Sequence, residues 1–337
     1  MDENLKPLPP FDPNVSRGLR IDPISPKDFI MGVNSPIFGD VEPTGVWTAY
    51  VSPQEVQADP ALETDNCTGF AIGHSIEDQI NRMIMRGLIR PVTLEFLRSN
   101  GYLVGGLVRL SKRAIGSLAG TGPQGNSLQN VANSVLKTGV VPDSLWPWDQ
   151  AVQTTYATYY APVSQAVLDL GQQFLKHFAL AWHWAVTDPS QMGNIPNALR
   201  QAPLYDALCT CGGWSTDNPI KWCNAGNASN HAVVSTDVKQ IQDSYIPQIK
   251  NLSGDYLIPY AMVVQVTQLD PDMPLIPAVK VAQMPTVYIQ LANFVWVAVA
   301  SWQSFLDIGG TASSIKVIDQ ATLNSMKVIG HVFLERE

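Results

Sequence analysis

One segment constrains the fold of this chain more than any other: a cysteine followed at once by a long amphipathic pattern. After Cys67 the run CTGFAIGHSIEDQINRMIMRG places apolar residues at helical spacing, with polar residues on the opposite face. Gly87 and Pro91 are expected to end this helix, and a residue within 64–66 to cap its start. The apolar set is Ile72, Ile76, Ile80 and Met83, and the polar set is Glu77, Asp78, Asn81 and Arg82.

The rest of the chain has helical patterns first and strand patterns later. Further helices are predicted at 93–100, at 127–137 and near 165–185. Short β-type runs then dominate, and these are PLYDAL, NHAVVST, VKQIQDSY, YAMVVQVTQL and a terminal strand in SMKVIGHVFLERE. This order favours an α+β fold of two lobes.

Proline content and charge divide the chain further. Residues 1–40 carry seven prolines and are predicted to form an extended arm, because proline fixes φ and removes an amide donor. A two-lobed domain at 41–268 follows, with a helical lobe at about 60–160 and a β lobe at about 161–268. Residues 269–337 form an apolar extension, suited to assembly or to a membrane.

Part of that extension is free of charged residues. Within the uncharged stretch 281–306, residues 287–306 are long enough to cross a bilayer as a helix, although Gln290, Asn293 and Gln303 weigh against it. The alternatives are a buried strand-and-helix pair and a surface for self-association or partner binding.

Charge and cysteine content exclude several classes of protein. With 21 basic and 29 acidic residues the net charge is −8, so phosphate-directed nucleic acid binding is not expected. The N-terminus has no basic stretch followed by an apolar one, so no secretory signal is expected. The protein is therefore expected to be made in the cytoplasm.

Three of the four cysteines, Cys209, Cys211 and Cys223, form a C-x-C-x11-C cluster. A zinc site would need a fourth ligand, and no histidine has finger-like spacing. A disulfide involving Cys223 is an alternative, and free packed thiols are preferred. No metal and no cofactor are expected.

Cys67 has a different environment, in which a thiol can become a nucleophile. A helix N-terminus and a nearby imidazolium both favour the thiolate. The segment NHAVVSTDVKQIQDSY reads as a hairpin turning around Asp237, which pairs residues whose numbers sum to 474 and sets His231 opposite Asp243. An imidazole and a carboxylate so placed can hydrogen-bond, although a slip of one residue would turn them to opposite faces.

Six segments, in order, resemble those of papain-like (C1-type) cysteine peptidases. They cover roughly residues 45–268, and they are NCTGFA, LVRLSKRAI, GTGPQGNSLQNVANSVLKTGVVPDSLWPW, IPNALRQAPL, NHAVV and IQDSY. The resemblance implies a papain-like fold, with the nucleophile helix in the helical lobe and an antiparallel β lobe.

The resemblance also implies roles for individual residues. Cys67 would be the nucleophile, His231 the general base and acid, and Asp243 the orienting residue, where the family usually has Asn. The backbone amide of Cys67 would be half of the oxyanion hole. The other half in the family is a Gln six residues before the cysteine, and here that position is Ala61. Gln57 could take its place only with a rearranged loop.

The expected function is peptide-bond hydrolysis through a Cys-His-Asp triad. The sequence also resembles phage-encoded papain-like proteins that are attached to virions, and this resemblance implies a place in a phage virion, into which the protein would be assembled in the cytoplasm. The main alternative is a slow or inactive papain-like fold that serves as a structural component of a virion tail or another assembly. A transglutaminase-like or amidase relative is the third. The expected partners are a peptide or protein substrate, other chains through 1–40 and 269–337, and a membrane through 287–306.

Overall fold

The computed structural model describes most of the predicted two-lobed domain. The described residues are 18–20, 28, 31, 41–53, 55–208, 229–245, 250–251 and 258–269, with the backbone of five strands between 278 and 332. Most of the predicted arm at 1–40 and the cysteine cluster at 209–223 lie outside them. The chain divides into two compact units, Met1–Leu269 and Asp270–Glu337, which are considered one at a time.

The described part of the first unit contains seven α-helices and short 3-10 turns at Thr48–Tyr50, Asp143–Leu145 and Pro189–Asn194. The helices are α1 Cys67–Met85, α2 Pro91–Ser99, α3 Lys112–Leu118, α4 Leu128–Thr138, α5 Tyr156–Tyr159, α6 Gln165–His177 and α7 Ile195–Gln201. Helix α4 shows how local sequence sets these bounds. The Ser127 hydroxyl caps its first turn by accepting from Asn130 N, and Gly139 ends it with a φ of +71°.

The strands of the first unit build one six-stranded sheet and two small ribbons. The sheet is antiparallel throughout, in the order β5-β10-β6-β7-β8-β9, whereas β1 pairs with β4 in parallel and β2 pairs with β3. The strands are β1 Leu19–Arg20, β2 Leu103–Val104, β3 Leu107–Val108, β4 Asn126–Ser127, β5 Phe178–Val186, β6 Leu204–Leu208, β7 His231–Asp237, β8 Gln240–Gln242, β9 Lys250–Asn251 and β10 Tyr260–Gln268.

Both faces of the six-stranded sheet are covered, because alternate residues of each strand enter different cores. Ala232 and Val234 of β7 join the core that includes helix α1. Val233, between them, joins a second core with Trp47 and Leu199. Helix α1 therefore packs directly on the strand that begins with His231. The predicted α+β class is confirmed.

Helix α1 departs from the expected amphipathic helix. Its residues from Cys67 to Asn81 are all buried, including the predicted polar positions Glu77, Asp78 and Asn81. These side chains bond to neighbouring loops: Asn81 Oδ1 accepts from Val108 N at 2.7 Å, and Asp78 Oδ1 accepts from Ser52 N at 3.1 Å. The polar face is thus an interior face that satisfies buried backbone groups.

The helix predicted near 165–185 is only partly correct. Helix α6 ends at His177, and β5 begins at the next residue. The run FALAWHWAV is rich in aromatic residues, and its pairing along β10 decides the conformation.

The second unit contains a five-stranded sheet among its described residues, in the order β14-β11-β12-β13-β15. Its strands are β11 Ala278–Val281, β12 Val287–Gln290, β13 Val295–Val299, β14 Ile315–Ile318 and β15 Lys327–Val332. Strands β12 and β13 are antiparallel neighbours within 287–306, so this stretch does not form the membrane-spanning helix, which is one of the three alternatives that the sequence leaves open. Within the part of the chain that the structure describes, no helix is both long and apolar enough to cross a membrane.

Candidate active site

Cys67 is the first residue of helix α1, and its side chain is completely buried. Asn66 holds the capping position, but its side chain does not cap the helix. Its Nδ2 instead donates to Lys112 O at 2.9 Å and to the Tyr159 hydroxyl at 3.1 Å. The backbone of Ala232, the residue after His231, lies near enough to the Cys67 thiol to lower its pKa. The thiol therefore lies near the start of strand β7.

His231 and Asp243 form a buried pair. His231 Nε2 lies 2.7 Å from Asp243 Oδ1, and both side chains have zero exposure. The Tyr245 ring packs against the imidazole with 5.1 Å between ring centroids. Because Nε2 faces the carboxylate, Asp243 selects the imidazole orientation in which the Nδ1 edge faces away from it.

The pair forms through a register different from the predicted one. Val234 lies opposite Gln242 and Ser235 opposite Ile241, so these paired numbers sum to 476. The register shifts before Asp237 pairs with Gln240, and the two turn residues are 238–239. The predicted sum of 474, with the turn around Asp237, is wrong. A shift of two residues keeps side chains on the same face. His231 and Asp243 thus become diagonal neighbours, which remain within reach of each other.

Gln57 reaches this region because the chain before Cys67 forms a small hairpin. Thr64 N donates to Gln57 O, and Asp59 N donates to Leu62 O. Ala61 lies exposed at the tip, where its amide donates to Asp59 Oδ1 at 2.7 Å. Counting six residues back from the cysteine therefore gives a turn residue. The Asp-Pro pair at 59–60 is the sequence signal that would have indicated this turn.

The Gln57 side chain is fully buried, and its hydrogen bonds connect two segments of the site. Its Oε1 accepts from the Ser244 hydroxyl at 2.5 Å. Its Nε2 donates to Glu63 Oε1 at 2.8 Å and to the Tyr245 hydroxyl at 3.1 Å. Both amide hydrogens are thus engaged, so in this arrangement Gln57 does not present one to a substrate.

Each of the four residues before Cys67 is hydrogen-bonded to a tyrosine hydroxyl. Within this segment Asp65 has a φ of +52°, an unusual backbone conformation for a residue other than glycine. The sequence analysis missed this set of contacts. The bonds join Tyr245 to Glu63 Oε2, Tyr160 to Thr64 O, Tyr156 to Asp65 Oδ2, and Asn66 Nδ2 to Tyr159.

The surroundings of Cys67 favour a neutral thiol. Burial raises the pKa of the Cys67 thiol well above its usual value, and the backbone of Ala232 opposes this. The carboxylates of Glu63, Asp65 and Asp243 raise that pKa further. These surroundings therefore disfavour the thiolate, in spite of the place of Cys67 at a helix N-terminus.

A second buried charge cluster lies farther along helix α1. Glu55, His74 and Glu77 have ligand atoms within 4.8 Å of one another, which is close enough to hold a metal ion. The Lys112 ammonium instead pairs with Glu55 Oε2 at 2.7 Å and with Glu77 Oε1. Burial raises the pKa of Glu77 to about 7, against the opposing effect of Lys112. Burial also holds the pKa of His74 well below its usual value, with Lys112 and Arg109 acting in the same direction.

No protein-family model matches the chain, and no curated protein matches it. Several solved structures are similar to it. The match to xylellain, a cysteine protease from Xylella fastidiosa, covers 74% of this chain and 96% of the xylellain chain, at 13% sequence identity and a TM-score of 0.47. The match to digestive procathepsin L 3 from the larval midgut of Tenebrio molitor covers 74% of this chain and 75% of the procathepsin chain, at 15% sequence identity and a TM-score of 0.43. The match to the bromelain protease of Ananas comosus, in complex with the E64 inhibitor, covers 65% of this chain and 97% of the bromelain chain, at 15% sequence identity and a TM-score of 0.38.

Proposed function

We propose that this chain is a papain-like cysteine peptidase in which Cys67, His231 and Asp243 form a catalytic triad. The hydrogen bond between His231 and Asp243 carries the proposal. His231 begins strand β7, which packs against helix α1. The backbone of Ala232, the next residue of that strand, lies near the Cys67 thiol. A thiol, an imidazole and an orienting carboxylate are the parts that nucleophilic acyl transfer needs.

In the proposed reaction, His231 takes the thiol proton and the Cys67 thiolate adds to the carbonyl carbon of a peptide bond. His231 then gives that proton to the leaving amine, and a thioester remains on Cys67. Water loses a proton to His231 as it adds to the thioester. The acid leaves, and the proton returns to the thiol. Asp243 orients the imidazole, and the Cys67 backbone amide donates to the oxyanion.

The test is labelling of the full-length protein near neutral pH with a thiol-directed epoxide. Adducts are mapped by mass spectrometry in the wild type, in Cys67→Ala and in His231→Ala. We expect rapid labelling of Cys67 that is lost in His231→Ala and kept in His177→Ala, a matched histidine variant on helix α6. Labelling of Cys67 no faster than that of Cys209, Cys211 or Cys223 would contradict the proposal.

The completely buried thiol, with its raised pKa, favours a second candidate function. In that case the domain is an inactive papain-like fold that serves as a component of an assembly such as a phage virion, with 1–40 and 269–337 contacting partner chains. The measurement is sedimentation of the purified full-length protein. A stable monomer with both segments protected from protease would argue against the assembly role.

A further inference from the structure

Three hydrogen-bond donors converge on the carboxylate of Glu63. Gln57 Nε2 lies 2.8 Å from Oε1, and the Asp65 amide lies 3.0 Å from the same oxygen. The Tyr245 hydroxyl donates to Oε2. A side-chain amide, a backbone amide and a hydroxyl aimed at one anionic group are the kind of donors that stabilise an oxyanion in acyl transfer. Here a side chain of the protein itself occupies them.

The backbone around Glu63 keeps its carboxylate at this position. Ala58 and Glu63 pair across the hairpin, and Thr64 N donates to Gln57 O. Gln57 and Glu63 are therefore on facing arms of one turn. None of these backbone bonds uses the Glu63 side chain, so its removal leaves the hairpin with its own support.

Gln57 is held with its amide directed at Glu63. Its backbone N donates to Ser244 O at 2.9 Å, and its Oε1 accepts from the Ser244 hydroxyl at 2.5 Å. Ser244 is the residue after Asp243, so Gln57 is fixed to the segment that orients His231. With Oε1 fixed by Ser244, Nε2 is the atom that remains for an anion.

We propose that Glu63 is an autoinhibitory side chain, which occupies the amide of Gln57 and the hydroxyl of Tyr245 and so withholds them from the oxyanion of the reaction. This inference rests on the proposed peptidase function. The Glu63 carboxylate also disfavours a negative charge on the Cys67 thiol. Both effects act in the same direction. Withdrawal of Glu63 releases the donors and removes the charge of its carboxylate.

The experiment compares Glu63→Ala with the wild type in the full-length protein. The readouts are kcat/KM on a fluorogenic peptide and the rate of Cys67 alkylation. Loss of one oxyanion donor typically costs about 100- to 1000-fold, so release of Gln57 should raise kcat/KM by about 100-fold. The double variant Gln57→Ala, Glu63→Ala should lose most of that gain. Glu95→Ala, an exposed glutamate on helix α2, is the matched control and should change neither readout.

A Glu63→Ala variant that is folded by circular dichroism and no faster than the wild type would overturn the inference. Should Glu63→Ala fail to fold, Glu63→Gln keeps an acceptor for the same donors and removes the charge, and it should still speed Cys67 alkylation. An unchanged rate there also overturns it. The two proposals are distinguishable. If His231→Ala abolishes the labelling of Cys67 but Glu63→Ala brings no gain, only the autoinhibitory role of Glu63 is refuted. If the labelling of Cys67 does not depend on His231, either in the wild type or in Glu63→Ala, the proposed peptidase function is refuted.

Discussion

Glu77 should make the stability of this protein depend on pH, and Glu77→Gln should remove that dependence. The carboxyl is fully buried, where its Oε2 accepts from the Ser52 hydroxyl and its Oε1 from Leu110 N. Its pKa is about 7 in the folded chain against 4.5 as its ordinary value. A group whose pKa is raised by folding stabilises the fold fully below its unfolded pKa. That contribution is lost as pH rises through the folded pKa.

The pKa difference sets the size of this effect. A difference between 4.5 and about 7 corresponds to about 3 kcal/mol. Glutamine keeps an acceptor oxygen and does not titrate. The free energy of unfolding of Glu77→Gln, relative to that of the wild type, should therefore increase by about 3 kcal/mol between pH 4.5 and pH 8. Lys112 keeps Glu55 Oε2, at 2.7 Å, as an ion-pair partner in Glu77→Gln, so the substitution does not leave its ammonium group buried without a counter-charge.

Urea unfolding followed by tryptophan fluorescence, at half-unit steps of pH, measures this difference. Glu95→Gln serves as the control, since Glu95 is 64% exposed and should show no pH-dependent difference from the wild type. A gap between Glu77→Gln and the wild type that stays constant from pH 4.5 to pH 8 would refute the reasoning. It would mean that Glu77 is ionised at about its ordinary pKa in the folded protein.

Three further substitutions test other parts of the structure. Asp243→Ala should lower kcat/KM for peptide hydrolysis by about 100-fold, since general acid–base catalysis by a correctly oriented group contributes about 100- to 10,000-fold; steady-state kinetics measures it. Asn66→Ala should lower the free energy of unfolding by about 1–3 kcal/mol, because it leaves Lys112 O without this buried donor; chemical unfolding measures it. Gly139→Ala should cost more than about 1 kcal/mol, because φ is +71° and the new Cβ would meet Gly171 O at 2.0 Å; the shift in Tm reports it.

The hydrophobic pattern after Cys67 was sufficient to locate helix α1, since nineteen residues with a sustained period leave little ambiguity. The same pattern could not show that Glu77 and Asp78 are buried. A polar helix face looks the same in sequence whether it meets water or the backbone of a loop. Their partners, such as Ser52 and Leu110, are about 25 and 33 residues away along the chain.

At the candidate site, local reasoning found His231 and Asp243 but not the register that joins them. A shift of the strand register by an odd number of residues turns a side chain to the opposite face of the sheet, whereas an even shift does not. The predicted register was wrong by two residues, so His231 and Asp243 were still placed on the same face. Counting positions failed at Ala61 for a related reason, because a turn inserted before Cys67 changes which residue reaches the site. The contact of Glu63 with Gln57 depends on that turn, so a motif count could not predict it.

The inward polar face of helix α1 has a consequence for how this unit can be divided. Asn81 Nδ2 donates to Tyr50 O, and Asp78 accepts from Ser52 N, so the segment at 41–53 completes the helix interior from one side. The end of strand β3 and the connection to helix α3 complete it from the other side, through Val108 N and Leu110 N. A fragment that begins near residue 60, where the sequence pattern starts the helical lobe, loses Ser52 N, which donates to Asp78, and Tyr50 O, which accepts from Asn81 Nδ2. Helix α1 therefore depends on the segment that contains Tyr50 and Ser52, and a fragment without that segment leaves polar groups in the helix interior without these partners.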